Sequence, residues 1–182
     1  DAILVIDAYF QAHCLALPDG RINGLGDATA LIRAFYLQRV PGSALDVLKT
    51  LTPRELEQLT ERVFHRMGYE TSLTPASADQ GRDVIARRAH EGQAEFVLIE
   101  CKHHRSRIGV SFIRALLGAV EHERANRGVL VAVGDFTRGA KQLADADSRI
   151  ELVNGEALVR LLNANYGSEW ASRIGFLLRG LY

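Results

Sequence analysis

The sequence predicts an α/β domain in which helices cover both faces of a mixed β-sheet. Three observations support this class. A helix with clear start and stop signals is predicted over residues 52–68, residues 82–102 resemble two strands joined by a tight turn, and helical and strand-like segments alternate over residues 109–165. The order helix, three strands, helix, strand, helix, strand, helix predicts one domain of about 115 residues.

The first helix of this domain is predicted from residues that stabilise helix ends. Thr52 is a suitable N-cap, Pro53 stands at the first helical position, and Glu55 at the third completes a capping box. Gly68 supplies the stop signal. The apolar stripe that this helix is expected to bury consists of Leu56, Leu59, Val63 and Met67.

The other elements follow from composition and spacing. YETSLT (69–74) is predicted to be a short strand, and RDVIARRAH (82–90) and AEFVLIECK (94–102) a hairpin that turns at Glu91-Gly92. The wholly apolar run GVLVAVG (128–134) predicts a strand covered on both faces. The remaining predicted elements are helices over 109–126, 137–147 (with Thr137 as cap) and 155–165, and a strand over 149–153.

The segments on either side of the predicted domain, which spans residues 51–166, carry less information. Residues 1–50 are expected to form a helical extension without an assigned role, in which DATALIRAFYLQRV (27–40) has a helical apolar face after an Asp27 cap. Residues 167–182 are interpreted as a C-terminal tail. The chain starts at Asp1 rather than at methionine, which favours an excerpt of a longer protein.

Charge and cysteine content exclude some classes of partner. The 22 basic and 22 acidic residues balance, so no overall field attracts nucleic acid or a membrane, and a nucleic-acid contact requires a local patch or another domain. Cys14 and Cys101 lack metal-binding spacing and favour a reduced, cytoplasmic setting. The apolar run at residues 2–6 is too short to cross a bilayer and lacks the basic start of a signal peptide, so no membrane partner is expected.

The stretch VLIECKHH (97–104) carries the candidate chemistry. Side chains alternate along a strand, so Glu100 and Lys102 point to one face while Cys101 points to the other, where it is expected to be a buried apolar residue. A turn at residues 91–92 pairs residue i with roughly 183 minus i, a rule of strand geometry that sets Asp83 opposite Glu100. Two carboxylates and one ammonium are therefore expected at one end of the sheet.

This trio suits phosphodiester hydrolysis assisted by a divalent cation. Mg²⁺ takes one or two carboxylates and completes its shell with water and phosphate oxygens. A neighbouring lysine can orient or deprotonate a water or stabilise the developing charge, whereas arginine cannot take a proton role. Only three of the 22 basic residues are lysines, so a lysine at this position is informative. The alternative left open by the pattern is a surface salt bridge between Glu100 and Lys102.

From Leu51 to about Tyr166 the chain resembles the catalytic domain of Mrr-like restriction endonucleases, within the PD-(D/E)XK nuclease superfamily. The resemblance is carried, in order, by ELEQLTERVFHRMGYE, DQGRDVIA, VLIECKHH, IRALLGAV, GVLVAVGDFTRGAKQLAD and IELVNGEALVRLL. It implies a restriction-endonuclease-like fold, Mg²⁺-dependent DNA cleavage, for which Mn²⁺ is a substitute, and often a homodimer.

The resemblance also implies residue roles. Asp83 and Glu100 correspond to the metal-binding carboxylates, Lys102 to the catalytic lysine, and Glu57 to the glutamate of the first helix. Many Mrr-like members carry glutamine where Glu100 stands, so the acid here follows the wider superfamily pattern.

Basic residues beyond the strand are candidates for DNA contacts. Arg105 and Arg107 stand where a phosphate backbone would pass, and Arg114 lies one turn into the next helix. His103 and His104 replace the basic or aromatic residues more usual in the family. For each of these residues a solvated surface role is the alternative.

The sequence therefore predicts a metal-dependent DNA endonuclease, the nuclease module of a bacterial restriction or phage-defence protein whose target-recognition or regulatory domain lies outside this chain. Two alternatives stay open. One is a non-cleaving nucleic-acid-binding or assembly module of the same fold, and the other is a structure-selective nuclease such as a junction resolvase.

Overall fold

The structure, a computed structural model, describes residues 43–75, 82–90, 93–104 and 106–180. Several predicted features lie outside these residues: the helix over 27–40 with its Asp27 cap, Cys14, the turn at 91–92 and Arg105.

The described chain contains five strands and six α-helices. The strands are β1 (Glu70–Leu73), β2 (Val84–His90), β3 (Gln93–Lys102), β4 (Arg127–Ala132) and β5 (Ile150–Val153). The helices are α1 (Ala44–Thr50), α2 (Pro53–Arg66), α3 (Val110–Glu123), α4 (Arg138–Ala146), α5 (Gly155–Tyr166) and α6 (Ile174–Leu178), with a 3₁₀ turn at Ser168–Arg173 before α6.

The strands form one mixed sheet in the order β1-β2-β3-β4-β5. β1, β2 and β3 pair antiparallel, whereas β3, β4 and β5 pair parallel. The connections between the parallel strands run through α3 and α4, because the chain must cross back along the sheet before the next parallel strand can start. This arrangement confirms the predicted α/β class and the predicted order of elements.

Helix α2 begins as its sequence predicts. The Thr52 side chain accepts a hydrogen bond from the backbone of Glu55, and the Glu55 carboxylate accepts one from the backbone of Thr52. At the other end, Gly68 has a φ of 89°, a conformation that glycine adopts without strain. Helix α3 ends at Glu123, earlier than predicted, because Arg124 takes a left-handed conformation with a φ of 56°.

Each face of the sheet is covered by its own group of helices. Helices α3 and α4 bury one face, through residues that include Leu98, Ile113, Leu116, Leu130 and Ala140. Helices α1, α2, α5 and α6 bury the other, through residues that include Leu48, Leu56, Leu59, Ile99, Val129 and Leu158. β4 is buried from Gly128 to Ala132, as its apolar sequence predicts for a strand covered on both faces.

Segments outside the predicted domain bounds contribute to this core. Val47 and Leu48 of α1 and Trp170 of the 3₁₀ turn are buried with the residues of α2 and β3. Trp170 also donates a hydrogen bond from Nε1 to Asn163 Oδ1 at 2.9 Å. No helix in the described part of the chain is both long enough and apolar enough to span a membrane.

Candidate active site

The ends of several strands meet at one end of the sheet, which we call the site edge. β3 ends there at Lys102, and because β2 runs antiparallel to β3, β2 starts there at Val84. β1 runs antiparallel to β2 and therefore also ends at this edge, with Thr74 as the next residue. The start of α2 reaches the same edge, since Arg54 contacts Thr74.

The hairpin register brings Asp83 to the end of β3. Val84 pairs with Ile99 and His90 with Gln93, which confirms the predicted pairing of residue i with 183 minus i. Asp83, one residue before Val84, donates its backbone N–H to Ile99 O at 2.8 Å. Its Oδ2 accepts a hydrogen bond from the backbone N–H of Cys101 at 2.7 Å, so the carboxylate is held beside Glu100.

Glu100 and Lys102 form an ion pair that is not a surface pair. Lys102 Nζ lies 2.8 Å from Glu100 Oε1, and the Glu100 side chain is only 5% exposed. Lys102 Nζ also lies 5.2 Å from the centre of the Phe112 ring, at the start of α3, a distance at which the ring face attracts a cation. Burial makes this pair costly to desolvate, which disfavours the surface salt bridge as an explanation.

Glu57 lies near the start of α2, one turn after its first residue, and is held by Arg54. Arg54 Nη1 donates to Glu57 Oε2 at 2.6 Å and to the backbone oxygen of Thr74 at 3.1 Å. The Glu57 side chain is 17% exposed. The guanidinium therefore links α2 to Thr74, the residue that follows β1.

Cys101 lies within electrostatic range of all three candidate carboxylates. Burial raises the pKa of its thiol above the ordinary range, and the neighbouring Thr60 side chain opposes that shift. Three negative charges add to the rise because each disfavours a thiolate; they belong to Asp83, Glu57 and Glu100. As predicted, Cys101 is buried in the core on the α2 side of the sheet.

The basic residues after β3 have different surroundings. His103 Nε2 lies 3.3 Å from the carbonyl oxygen of Leu48 in α1, and the exposed His104 has its ring 6.4 Å from that of Phe112. Arg107 and Arg114 are exposed. These two arginines are therefore accessible to a large ligand, whereas His103 is engaged by the fold.

The donor set at the site edge fits a hard divalent cation. Asp83 and Glu100 offer carboxylate oxygens, the ligand type that Mg²⁺ and Mn²⁺ take. Within the described ranges, no group of three or more His, Cys, Asp and Glu side chains is placed to hold a metal ion. Two carboxylates suit an ion that completes its shell with water and phosphate oxygens.

Sequence reasoning missed three residues that shape this site: Arg54, Thr74 and Phe112. The pairing of Arg54 with Glu57 could have been found, because opposite charges three residues apart on a helix lie side by side. Thr74 and Phe112 give no local signal, since their partners at the site lie on other elements.

Comparison with known proteins places this geometry in a family. Residues 48–162 match the family model described as restriction endonuclease. The chain is 28% identical over 131 residues to the type IV methyl-directed restriction enzyme EcoKMrr of Escherichia coli, covering 69% of this chain and 43% of that protein. It is 32% identical over 106 residues to the uncharacterized protein y4cE of Sinorhizobium fredii, covering 57% of this chain and 27% of that protein.

Solved structures share the fold at low sequence identity. The DNA modification-dependent restriction endonuclease AspBHI matches with a TM-score of 0.62 and 21% identity, over 81% of this chain and 42% of that one. MspJI restriction endonuclease, solved in complex with a 27-mer oligonucleotide, matches with a TM-score of 0.53 and 18% identity, over 87% of this chain and 36% of that one.

The chain thus spans less than half the length of these curated relatives. The family match covers more than half of the chain itself and includes all of β1 to β5. By that match the chain belongs to the restriction endonuclease family, and its described fold is that of an Mrr-like catalytic domain.

Proposed function

We propose that this domain cleaves DNA by metal-dependent hydrolysis of phosphodiester bonds. The observation that carries the proposal is the ion pair between the buried Glu100 and the partly exposed Lys102, at 2.8 Å, at the sheet edge where Asp83 is fixed by the backbone of β3. Burying the Glu100 carboxylate has a desolvation cost, and such costly charged groups cluster at functional sites, which agrees with the restriction endonuclease family match.

In this proposal Asp83 and Glu100 hold the cation, which is Mg²⁺ with Mn²⁺ as a substitute. When bound, the ion supplies positive charge that stabilises the charge developing on the phosphate. Glu100 keeps the Lys102 ammonium at the site edge, where it can orient the attacking water or exchange a proton with it. Glu57, oriented by Arg54, is a further acidic group at this edge.

We assign the DNA backbone contacts to the basic residues that follow β3. Arg107 and Arg114 are exposed and suited to phosphate oxygens. Arg105, His103 and His104 complete the proposed set. Because the chain has a formal net charge of zero, we assign target recognition to another part of a longer protein. We further propose that this protein acts in restriction or phage defence, in the cytoplasm and as a homodimer.

The test is nicking of supercoiled plasmid with Mg²⁺ or Mn²⁺. Wild type is compared with Lys102→Ala, and Lys141→Ala serves as the matched control because Lys141 is exposed and pairs with Asp135, which is not one of the candidate residues. We expect Lys102→Ala to slow cleavage by about 100-fold or more, the usual contribution of a proton-transfer group. Lys141→Ala should cleave like wild type, and circular dichroism should show that both variants are folded.

Equal nicking by wild type and folded Lys102→Ala would contradict the site assignment. A folded wild type that binds DNA but never cleaves it would favour the non-cleaving module. A panel of plain, methylated, nicked and junction substrates then separates a restriction activity from a junction resolvase. The methylated duplex belongs in the panel because the relative EcoKMrr is described as methyl-directed.

A further inference from the structure

Thr74 makes more hydrogen bonds to the Asp83 region than its position after β1 requires. Its backbone N–H donates to Asp83 O at 2.9 Å, which continues the pairing of Leu73 with Val84 by one residue. Its hydroxyl reaches further, to Arg82 O at 2.7 Å and Asp83 O at 3.1 Å. The hydroxyl therefore fixes the backbone of Arg82 and Asp83, the two residues that precede β2.

Arg54 holds Thr74 from the other side. Its Nη1 donates to Thr74 O at 3.1 Å while also donating to Glu57 Oε2 at 2.6 Å. One guanidinium thus ties Glu57 on α2 to the residue that holds the backbone of Asp83. Arg54 can act this way because it is half-buried, which limits the freedom of its side chain.

Asp83 is consequently fixed from two strands. β3 fixes it through Ile99 O, at 2.8 Å from the Asp83 backbone nitrogen, and through Cys101 N, at 2.7 Å from the carboxylate. Thr74 donates to the carbonyl oxygens of Asp83 and Arg82, and the Arg82 carbonyl belongs to the same peptide group as the Asp83 N–H. Ligand orientation depends on such supporting hydrogen bonds, and their loss weakens metal binding by about 10- to 100-fold.

We propose that Thr74, held by Arg54, is a positioning residue that sets the Asp83 carboxylate relative to Glu100. The inference rests on the proposed function, because it assigns Thr74 a role at the proposed cation site. Thr74 itself touches neither the cation nor DNA in this scheme. Its effect should be on cation affinity and not on the affinity for DNA in the absence of metal.

The test compares Thr74→Val with Thr74→Ser. Valine has nearly the shape of threonine but lacks the hydroxyl, whereas serine keeps it. Thr71→Val is the matched control, because Thr71 lies on the same strand and its hydroxyl donates to Glu61, away from Asp83. For each protein, the Mn²⁺ dissociation constant is measured without DNA by calorimetry, and metal-free DNA binding and plasmid nicking are measured alongside.

We expect Thr74→Val to weaken Mn²⁺ binding by about 10-fold. The Mn²⁺ dissociation constants of Thr74→Ser and Thr71→Val should stay within about 2-fold of the wild-type value. Serine keeps the hydroxyl at position 74, and the hydroxyl of Thr71 is remote from Asp83. All four proteins should bind DNA equally in the absence of metal.

Two results would overturn the inference while leaving the proposed function intact: unchanged Mn²⁺ affinity in Thr74→Val, or a Thr74→Ser variant as weak as Thr74→Val. If folded wild type binds no Mn²⁺ without DNA but still nicks plasmid, the inference is overturned and the proposed function stands. If wild type neither binds Mn²⁺ nor nicks plasmid, both are overturned.

Discussion

Glu95 and Glu100 show how surroundings give two glutamates of one strand different roles. Glu100 is buried at the site edge with Lys102. Glu95, near the other end of β3, accepts hydrogen bonds from Tyr69 at 2.8 Å and from Arg127 at 2.9 Å. Burial alone would raise the pKa of Glu95, but the bonds from Tyr69 and Arg127 outweigh it and lower that pKa below its ordinary value.

The lowered pKa makes the contribution of Glu95 to stability dependent on pH. A carboxyl group whose pKa is lower in the folded state stabilises the fold above its unfolded pKa, about 4.3 for glutamate. This stability is lost as the pH falls through the folded pKa. We therefore expect Glu95→Gln to lower the free energy of unfolding by about 1 kcal/mol at pH 7, and we expect this effect to shrink as the pH falls below about 4.

Urea unfolding at several pH values measures this difference. Glu121→Gln is the control, since Glu121 pairs with Arg149 but its side chain is 78% exposed, and exposed pairs contribute little. A Glu95→Gln effect that is equally large at pH 7 and pH 3.5 would contradict the charge-based explanation.

Among the elements, α1 depends on a close contact with the start of α5. A Cβ atom added to Gly155 would lie 2.4 Å from Val133 O and 2.5 Å from Leu45 Cδ1, both closer than atoms can approach. Leu45 belongs to α1, so the missing side chain at Gly155 lets α1 pack against α5 and the end of β4. Gly155 does not have a positive φ, so glycine is required here for space and not for backbone conformation.

Gly155→Ala should therefore destabilise the domain by about 1–3 kcal/mol, the usual cost of overpacking. Gly118→Ala is the matched control, because Gly118 lies within α3 and a Cβ there has nothing within 4 Å. Alanine is the better helix former by about 1 kcal/mol, so Gly118→Ala should be neutral or stabilising. Thermal or urea unfolding that ranks the two variants in the opposite order would contradict this account of α1.

At the scale of the whole molecule, the C-terminal residues belong to the core. Trp170 is fully buried, and α6 contributes the buried residues Ile174 and Leu177 to the core cluster beneath α2. The expected tail at residues 167–182 therefore includes described residues that complete one layer of helices.

Replacing the Trp170 side chain should have a large effect on stability. We expect Trp170→Ala to lower the free energy of unfolding by about 3–5 kcal/mol, the usual cost of deleting a buried aromatic side chain. Glu169→Ala, its exposed neighbour, should change stability by less than about 0.5 kcal/mol. Urea unfolding followed by circular dichroism is the measurement, because Trp170 is the only tryptophan and its fluorescence is lost in the variant. Similar midpoints for the two variants would mean that the C-terminal segment is not part of the folding unit.

Local patterns in the sequence predicted much of this fold. The capping box at Thr52, the apolar strand that became β3 and the apolar run of β4 each depend on neighbours within a few residues, and all three are present in the structure. The short turn between β2 and β3 also fixed the pairing register, because one turn length determines every later pair in a hairpin.

The sequence by itself determined the class, the order of elements and the end of the sheet at which Asp83, Glu100 and Lys102 come together. Only the tertiary structure decided that Glu100 is buried under α3, that Arg54 and Thr74 hold the acidic residues, and that Trp170 completes the core. The physical reason is the range of the interactions. Helix caps and strand alternation act between neighbours in the chain, whereas burial and the contacts between elements exist only after distant segments have packed together.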